Sequence, residues 1–212
     1  MLGILCGLHA EEKIARRIPE AKIACAAAVP QKARALAREL VAGGAARLLS
    51  FGVAGALDTG LPVGALAVGS KVVARNGSWD CDAVWADRLL KALPEAHCCA
   101  VWGSEVLVPT AAEKITLYKE TGCSIVDMES QCAAEAAADA GLPLAVVRVV
   151  CDEANHNVPS LVMEAINPDG STNYLSVLAS LLKAPWETFD LLKVGRNMAK
   201  ALRVLEGTAR ML

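Results

Sequence analysis

Apolar and polar positions along this chain follow two periodicities in turn. Short runs of consecutive apolar residues are typical of buried strands, and apolar residues spaced three and four apart are typical of amphipathic helices. The predicted strands are 2–6, 23–28, 48–51, 65–74, 97–101, 124–126 and 144–150. The predicted helices up to residue 140 are 11–17, 31–42, 83–93, 112–120 and 129–140. This alternation predicts an α/β fold whose central mixed, largely parallel sheet is flanked by helices.

Residues 153–212 are predicted to be an extended helical C-terminal part of the same domain, so that residues 1–212 form a single domain. Helical spacing covers residues 174–183 and 186–205, and Asn167-Pro168-Asp169-Gly170 is a turn signal. The apolar side chains of this part either pack on the core or line a hydrophobic groove.

The composition narrows the classes of function. Of 212 residues, 54% are hydrophobic and only 4% aromatic, so the core is expected to consist of small aliphatic side chains. The net charge of −2 includes no long run of either sign, which indicates a small-molecule partner rather than nucleic acid. The eight cysteines form no CxxC pair, and the first apolar run is too short for a signal peptide. We therefore expect a cytoplasmic protein without a metal site or a transmembrane helix.

Two acidic residues follow apolar runs in the middle of the chain. Glu129 stands in Val126-Asp127-Met128-Glu129-Ser130, after the predicted strand 124–126, and Asp152 follows the strand 144–150. Because an ionised carboxylate is costly to desolvate, acids at points where strands leave a core indicate a ligand site. The alternatives are that Glu129 only stabilises the N-terminus of the helix behind it, and that Asp152 caps a helix or loop.

A loop is predicted directly after strand 48–51, with the sequence Gly52-Val53-Ala54-Gly55-Ala56. Its small residues would let the backbone at Ala54 and Gly55 approach a ligand at the carboxyl end of a strand. It lacks the GxGxxG spacing and the following helix of a dinucleotide site, so no such cofactor is expected. A tight turn between packed strands explains the same residues equally well.

Taken together, five segments resemble the purine nucleoside phosphorylase and nucleosidase superfamily, especially the nucleosidases that act on methylthioadenosine and adenosylhomocysteine. The resemblance covers about residues 1–152, and its most specific parts are those around Glu129 and Asp152. The segments are Gly7-Leu8-His9-Ala10-Glu11-Glu12, Ser50-Phe51-Gly52-Val53-Ala54-Gly55-Ala56-Leu57 with Pro62-Val63-Gly64, Ser104-Glu105-Val106-Leu107-Val108, Val126-Asp127-Met128-Glu129-Ser130 and Arg148-Val149-Val150-Cys151-Asp152.

The resemblance implies a role for each matching residue. Glu129 would hold the ribose hydroxyls, with Met128 packed beneath the sugar ring. Asp152 would supply or orient a proton for N7, so that adenine departs as a neutral base, and Leu107 and Val108 would belong to the base-binding loop. A carboxylate at the sugar also stabilises the positive charge that builds up on the ribosyl carbon during cleavage.

The residues after the first strand bear on the nucleophile. Phosphorylases of this superfamily have an arginine-bearing stretch there that clamps phosphate, whereas this chain has Ala10-Glu11-Glu12. The resemblance therefore implies hydrolysis, with Glu12 activating a water molecule and Arg148 orienting Glu12 or the nucleophile. Arg16 and Arg17, one helical turn further on, leave phosphorolysis open as the alternative.

Within the superfamily the chain is most similar to the hopanoid-associated phosphorylase-like branch, on the residues Cys151-Asp152-Glu153-Ala154 and the extended tail. That similarity implies an adenine nucleoside N-ribohydrolase with adenosylhopane as the candidate substrate, and no metal or redox cofactor. It further implies a homo-oligomer, and the sequence leaves a transient contact with a membrane surface open. A nucleoside- or lipid-binding module without turnover is the third hypothesis.

Overall fold

The computed structural model describes residues 1–27, 30–159 and 188–212. The strands are β1 Leu2–Cys6, β2 Ala21–Cys25, β3 Arg47–Ala56, β4 Leu66–Ala74, β5 Gly77–Asp80, β6 His97–Gly103, β7 Ile125–Asp127 and β8 Leu144–Asp152. The helices are α1 His9–Ala15, α2 Pro30–Ala42, α3 Ala83–Ala92, α4 Ala111–Thr121, α5 Ser130–Asp139 and α6 Thr188–Ala209. The predicted helix 174–183, the turn at 167–170 and most of the apolar tail lie outside the described residues.

The strands form one sheet in the order β2-β1-β3-β7-β6-β4-β5, and β8 pairs with both β3 and β4. Strands β3, β7, β6, β4 and β8 therefore close into a ring, from which β1, β2 and β5 extend. The pairs β3–β7, β4–β5 and β4–β8 are antiparallel, and the other pairs are parallel. The mixed, largely parallel sheet that the periodicity predicts is thus confirmed.

Two parts of the sheet differ from the sequence prediction. The residues predicted as a loop after 48–51 continue the strand, so that β3 extends to Ala56. Small residues suit this part of the strand because buried side chains press against its backbone, most closely at Gly52. Strand β5 is not predicted, because its four residues are too few to show a periodicity. In the structure it forms a hairpin with β4 across Arg75-Asn76.

The carboxyl ends of β1, β3 and β8 meet at one edge of the sheet because these strands run parallel. Gly7 follows β1 directly, and Asp152 is the last residue of β8. Gly55 of β3 stands opposite Asp152 on one side and opposite Val126 of β7 on the other. The turn that carries Glu129 follows β7, so the sheet topology brings both predicted acids to the same edge.

Helices cover both faces of the sheet with small side chains. Helix α5 packs Ala133 and Ala137 into one half of the core, and α6 packs Ala201 and Leu205 into the other. Alanine-rich contacts let the helices lie close to the strands, as the low aromatic content requires. Within the described part of the chain, no helix is long and apolar enough to cross a membrane.

Candidate active site

A cavity of about 200 Å³ opens at the edge of the sheet where β1, β3 and β8 end. The predicted site residues that line it are Asp152, Glu129, Met128, Leu107, Val108, Ala54 and Gly55. Its wall also includes the acids Glu11 and Asp127, and apolar side chains make up most of the rest. The cavity therefore combines an apolar wall with a few carboxylates, as small-molecule sites commonly do.

Asp152 lines the cavity as the last residue of β8. Its side chain is 26% exposed, and its Oδ2 accepts a hydrogen bond from Nζ of Lys114. Burial raises the pKa of Asp152 above the usual value for an aspartate, and the positive charge of Lys114 opposes this shift. A carboxyl group with a raised pKa can carry a proton closer to neutral pH, which is a requirement for a general acid.

Glu129 is buried against the chain turn that follows β1. Its Oε1 lies 2.6 Å from where a Cβ atom would stand on Gly7, so only glycine leaves room for it. Burial raises the pKa of Glu129, Arg148 opposes the rise, and the carboxylates of Asp127 and Glu11 add to it. A ligand that donates hydrogen bonds to Glu129 would therefore stabilise its ionised form against the effect of burial.

Arg148 is completely buried behind the cavity wall. Its Nε lies 2.9 Å from Oδ2 of Asp127, and its Nη2 lies 3.5 Å from Oε2 of Glu129. The guanidinium also donates to Oγ of Ser50 at 2.6 Å and to the carbonyl oxygen of Val53 at 3.2 Å. Arg148 does not line the cavity, so its geometry fits the positioning of carboxylates and not direct contact with a nucleophile.

The carboxylate of Glu11 enters the cavity from the first turn of α1. Its Oε2 accepts hydrogen bonds from the backbone N–H groups of Gly7 and Leu8, and its Oε1 accepts one from Val53, each at 2.8 Å. Burial raises the pKa of Glu11, and Arg148 together with these backbone donors opposes the rise. Backbone donors from the turn after β1 and from β3 thus fix both oxygens of this carboxylate.

The carboxylates of Glu11, Glu129 and Asp152 are spread along the cavity. Glu11 and Glu129 lie side by side, since both contact Gly7. Asp152 pairs with Gly55 of β3. The N–H group that donates to Oε1 of Glu11 belongs to Val53, two residues earlier on the same strand. Two strand residues span about 7 Å, so Glu11 and Asp152 contact β3 at two separate points along the strand.

Glu12 lies outside the cavity, which contradicts the position expected for it. Its Oε1 accepts a hydrogen bond from Arg16 at 2.6 Å, and its Oε2 lies 3.0 Å from Nδ1 of His9 on the outer side of α1. Successive residues of an α-helix are about 100° apart around the axis. Only one of two adjacent glutamates can therefore face the cavity, and in this structure it is Glu11.

One group of the described residues has side chains close enough to share a metal ion. The ligand atoms of His9, Glu12 and Cys25 lie within 4.8 Å of one another. This group is on the outer side of α1, away from the cavity, and Glu12 is already paired with Arg16. It therefore contributes nothing to the chemistry of the cavity.

Helix α6 and the segment after β8 provide an apolar wall that no sequence motif reveals. Val194 and Met198, one turn apart on α6, line the cavity together with Val158. Ala201 and Leu205 continue the same side of α6 and are buried. The helical spacing of these four residues predicts an apolar stripe. Spacing alone cannot tell which part of a stripe faces the core and which part faces a cavity.

Gly52 is expected to tolerate no side chain. A Cβ atom there would lie 2.6 Å from Nη1 of Arg148 and from Oε1 of Glu11, and both groups are held by several polar contacts. We expect Gly52→Ala to lower the free energy of unfolding by about 1–3 kcal/mol, as overpacking does. The measurement is urea denaturation followed by circular dichroism.

Gly195→Ala is the matched control for that substitution. Gly195 is exposed on α6, and no atom lies within 4 Å of its Cβ position. Alanine should stabilise the helix there by about 0.5–1 kcal/mol. If Gly52→Ala were as stable as the wild type, the close approach of Arg148 and Glu11 to β3 would be wrong.

Three solved structures, a hydrolase and two nucleosidases, are similar to this chain in fold. Futalosine hydrolase from Helicobacter pylori superposes with a TM-score of 0.71 at 14% identity, covering 100% of this chain and 97% of that chain. The 5′-methylthioadenosine/S-adenosylhomocysteine nucleosidase from Helicobacter pylori gives 0.70 at 15% identity, covering 100% and 98%. The corresponding Neisseria meningitidis nucleosidase gives 0.71 at 13%, covering 100% and 99%. At these identities the structural likeness shows the fold alone.

The sequence comparisons identify the family. A search of curated protein sequences gives no significant match. The model of the phosphorylase superfamily matches residues 23–183, which include β3, the turn that carries Glu129 and the end of β8. Since this match spans most of the chain, the protein belongs to the phosphorylase superfamily.

Proposed function

We propose that this protein hydrolyses the N-glycosidic bond of an adenine nucleoside and releases adenine. The observation that carries the proposal is the arrangement of Glu11, Glu129 and Asp152 along one mostly apolar cavity. Membership of the phosphorylase superfamily supports it, as does the shared fold with a hydrolase and with nucleosidases.

The base is placed at the end of the cavity formed by Leu107, Val108 and Asp152. When the bond between the ribosyl carbon and N9 breaks, the electron pair goes to the base, and an adenine anion is a poor leaving group. A proton delivered to N7 by Asp152 lets adenine depart neutral. The burial that raises the pKa of Asp152 supports this role, because it lets the carboxylate take up a proton more readily once a nucleoside displaces water from the cavity.

The ribose is placed between that end and the pair Glu11 and Glu129, with Met128 beneath the ring. Glu129 accepts hydrogen bonds from the ribose hydroxyls and stabilises the positive charge that develops on the ribosyl carbon. Glu11 takes a proton from a water molecule while the oxygen of that water forms a bond to the ribosyl carbon. The backbone donors that hold Glu11 fix its direction, so the water has one defined place.

Water is favoured over phosphate as the nucleophile. Among the described residues that line the cavity there is no lysine or arginine. Arg16 pairs with Glu12 and Arg17 with Glu206, both at the outer surface, and Arg148 is engaged behind the wall. A phosphate dianion would therefore meet carboxylates without a cation to balance its charge.

The substrate is proposed to carry an apolar 5′ substituent. Apart from the residues assigned to the base and the ribose, the cavity wall includes Val194 and Met198 of α6. Burying an apolar substituent against such a wall favours binding, whereas a polar substituent would find few hydrogen-bond partners there. Adenosylhopane, the candidate implied by the sequence resemblance, has a hydrocarbon at this position.

The function is tested by adenine release from a panel of 5′-substituted adenosines that runs from short polar to long apolar groups. Each is assayed by chromatography with and without phosphate. We expect release without phosphate, and higher kcat/KM for the apolar members because they cover more of the apolar wall. Release only in the presence of phosphate would identify a phosphorylase, and binding without any release would identify a binding module.

A further inference from the structure

Lys114 is completely buried, which is rare for a lysine. It lies on α4 among residues that are mostly exposed. Its Nζ donates to Oδ2 of Asp152 and to the carbonyl oxygens of Glu153, at 3.1 Å, and of His156, at 2.9 Å. These three acceptors match the three N–H donors of an ammonium group, so the charge is buried with complete hydrogen bonding.

Residues 153–158, which include two of the acceptors of Lys114, form two further hydrogen bonds with the start of α4. The backbone N–H of Ala111 donates to Oδ1 of Asn157 at 2.9 Å, and that of Val158 donates to the carbonyl oxygen of Pro109 at 2.7 Å. Val158 itself lines the cavity. Helix α4 and Lys114 therefore hold in place both Asp152 and the segment that contributes Val158 to the cavity wall.

We propose that Lys114 is a positioning residue that keeps Asp152 oriented and ionised until a nucleoside enters, and that it thereby selects 6-aminopurines over 6-oxopurines. This inference deepens the proposed function and rests on it. Lys114 occupies Oδ2, and among the described residues no group donates a hydrogen bond to Oδ1, which is left for the base. Since apolar residues can replace a buried ion pair without loss of stability, stability alone does not account for this lysine.

The selection follows from the hydrogen-bonding character of each form of the carboxyl group. Ionised Asp152 accepts from the 6-amino group of adenine but repels the 6-oxo oxygen of hypoxanthine, which is itself an acceptor. Protonated Asp152 could donate to that oxygen and would lose the discrimination. As an entering nucleoside displaces water and raises the pKa of Asp152 further, the carboxylate takes a proton from the departing solvent, and this is the proton that passes to N7.

Lys114 is the main cation that acts on Asp152. Burial raises the pKa of Asp152, and Lys114 opposes the rise more strongly than His156 does, while Glu153 adds to it. His156 and Glu153 pair with each other in the part-exposed segment, with 3.0 Å between Nδ1 and Oε2. The other titratable groups of the cavity wall are Glu11, Asp127, Glu129 and Cys151. Loss of Lys114 must therefore raise the pKa of Asp152.

The test is a ¹³C NMR titration of the Asp152 carboxyl in Lys114→Met and Lys114→Gln, with Asp152→Asn identifying the resonance. We expect the midpoint to move to higher pH by about 1–3 pH units in both variants. Lys119→Met is the control, because Lys119 is exposed on the same helix. An unchanged midpoint in either folded Lys114 variant would overturn the proposal.

A second readout is the ratio of adenine to hypoxanthine affinity, measured by calorimetry at pH 7. We expect Lys114→Met to lower this ratio at least about tenfold, the change that corresponds to one pKa unit. An unchanged ratio would remove the selective role. Neither readout needs turnover, so the outcome for Lys114 stands apart from the assay of adenine release that tests the proposed function.

Discussion

Asp152→Asn is expected to abolish most adenine release while nucleoside binding stays nearly intact. An asparagine side chain can still accept the hydrogen bond from Lys114 through its oxygen, which turns its NH₂ group towards the cavity. That group can hydrogen-bond to N7 but cannot transfer a proton. Loss of general acid catalysis should lower kcat by about 10²–10⁴-fold. Single-turnover adenine release and calorimetric binding of the same nucleoside measure the two effects separately.

The control for this variant is Asp139→Asn at the exposed end of α5, which removes one carboxylate far from the cavity wall. It should leave both the rate and the affinity unchanged. If Asp152→Asn weakened binding as much as it lowered the rate, the acid would act on the bound ground state and not only in the transition state. The assignment of proton transfer to Asp152 would then be wrong.

The sheet could be predicted because its strands are read from local patterns. Buried runs such as Ile4 to Cys6 and Leu144 to Val150 stand out from the helical segments between them. The closure of the sheet could not be predicted in this way. It depends on β8 pairing with β3 on one side and with β4 on the other, and such long-range pairing leaves no mark in the periodicity of a single strand.

Whether a site residue can be predicted depends on its neighbours in the sequence. Glu129 and Asp152 could be predicted because each carboxylate follows an apolar run. Lys114 is hidden, because a lysine among Glu113, Thr116 and Lys119 has the spacing of a solvated helix face. Its burial becomes apparent only when the end of β8 and the chain after it pack against α4 and bring three acceptors to it.

The adjacent pair Glu11 and Glu12 shows a different limit. Both lie in the same helical turn, and only the direction of α1 relative to the sheet decides which of them faces the cavity. The hydrogen bond that Glu11 accepts from the backbone N–H of Leu8, at the start of α1, contributes to that decision. The same interaction would hold Glu11 in place for purely structural reasons, so its chemical role needs a functional test.

Glu11→Gln and Glu12→Gln form a matched pair for that test, because they make the same change one residue apart. If Glu11 activates the water, Glu11→Gln should lower kcat/KM by about 10²–10⁴-fold, since an amide cannot take up the proton. Glu12→Gln removes only a surface ion pair with Arg16 and should leave kcat/KM close to the wild-type value.

Stability has to be measured alongside, because Glu11→Gln also changes the capping of α1. The amide NH₂ cannot accept the backbone hydrogen bonds that one carboxylate oxygen accepts now, which costs about 1–3 kcal/mol. Rates are therefore compared at a temperature where both variants are fully folded. A larger loss of rate in Glu12→Gln than in Glu11→Gln would contradict the placement of α1. Equal and small losses would show that neither glutamate activates the nucleophile, so that Glu129 would be the carboxylate left beside the ribosyl carbon to act on the water.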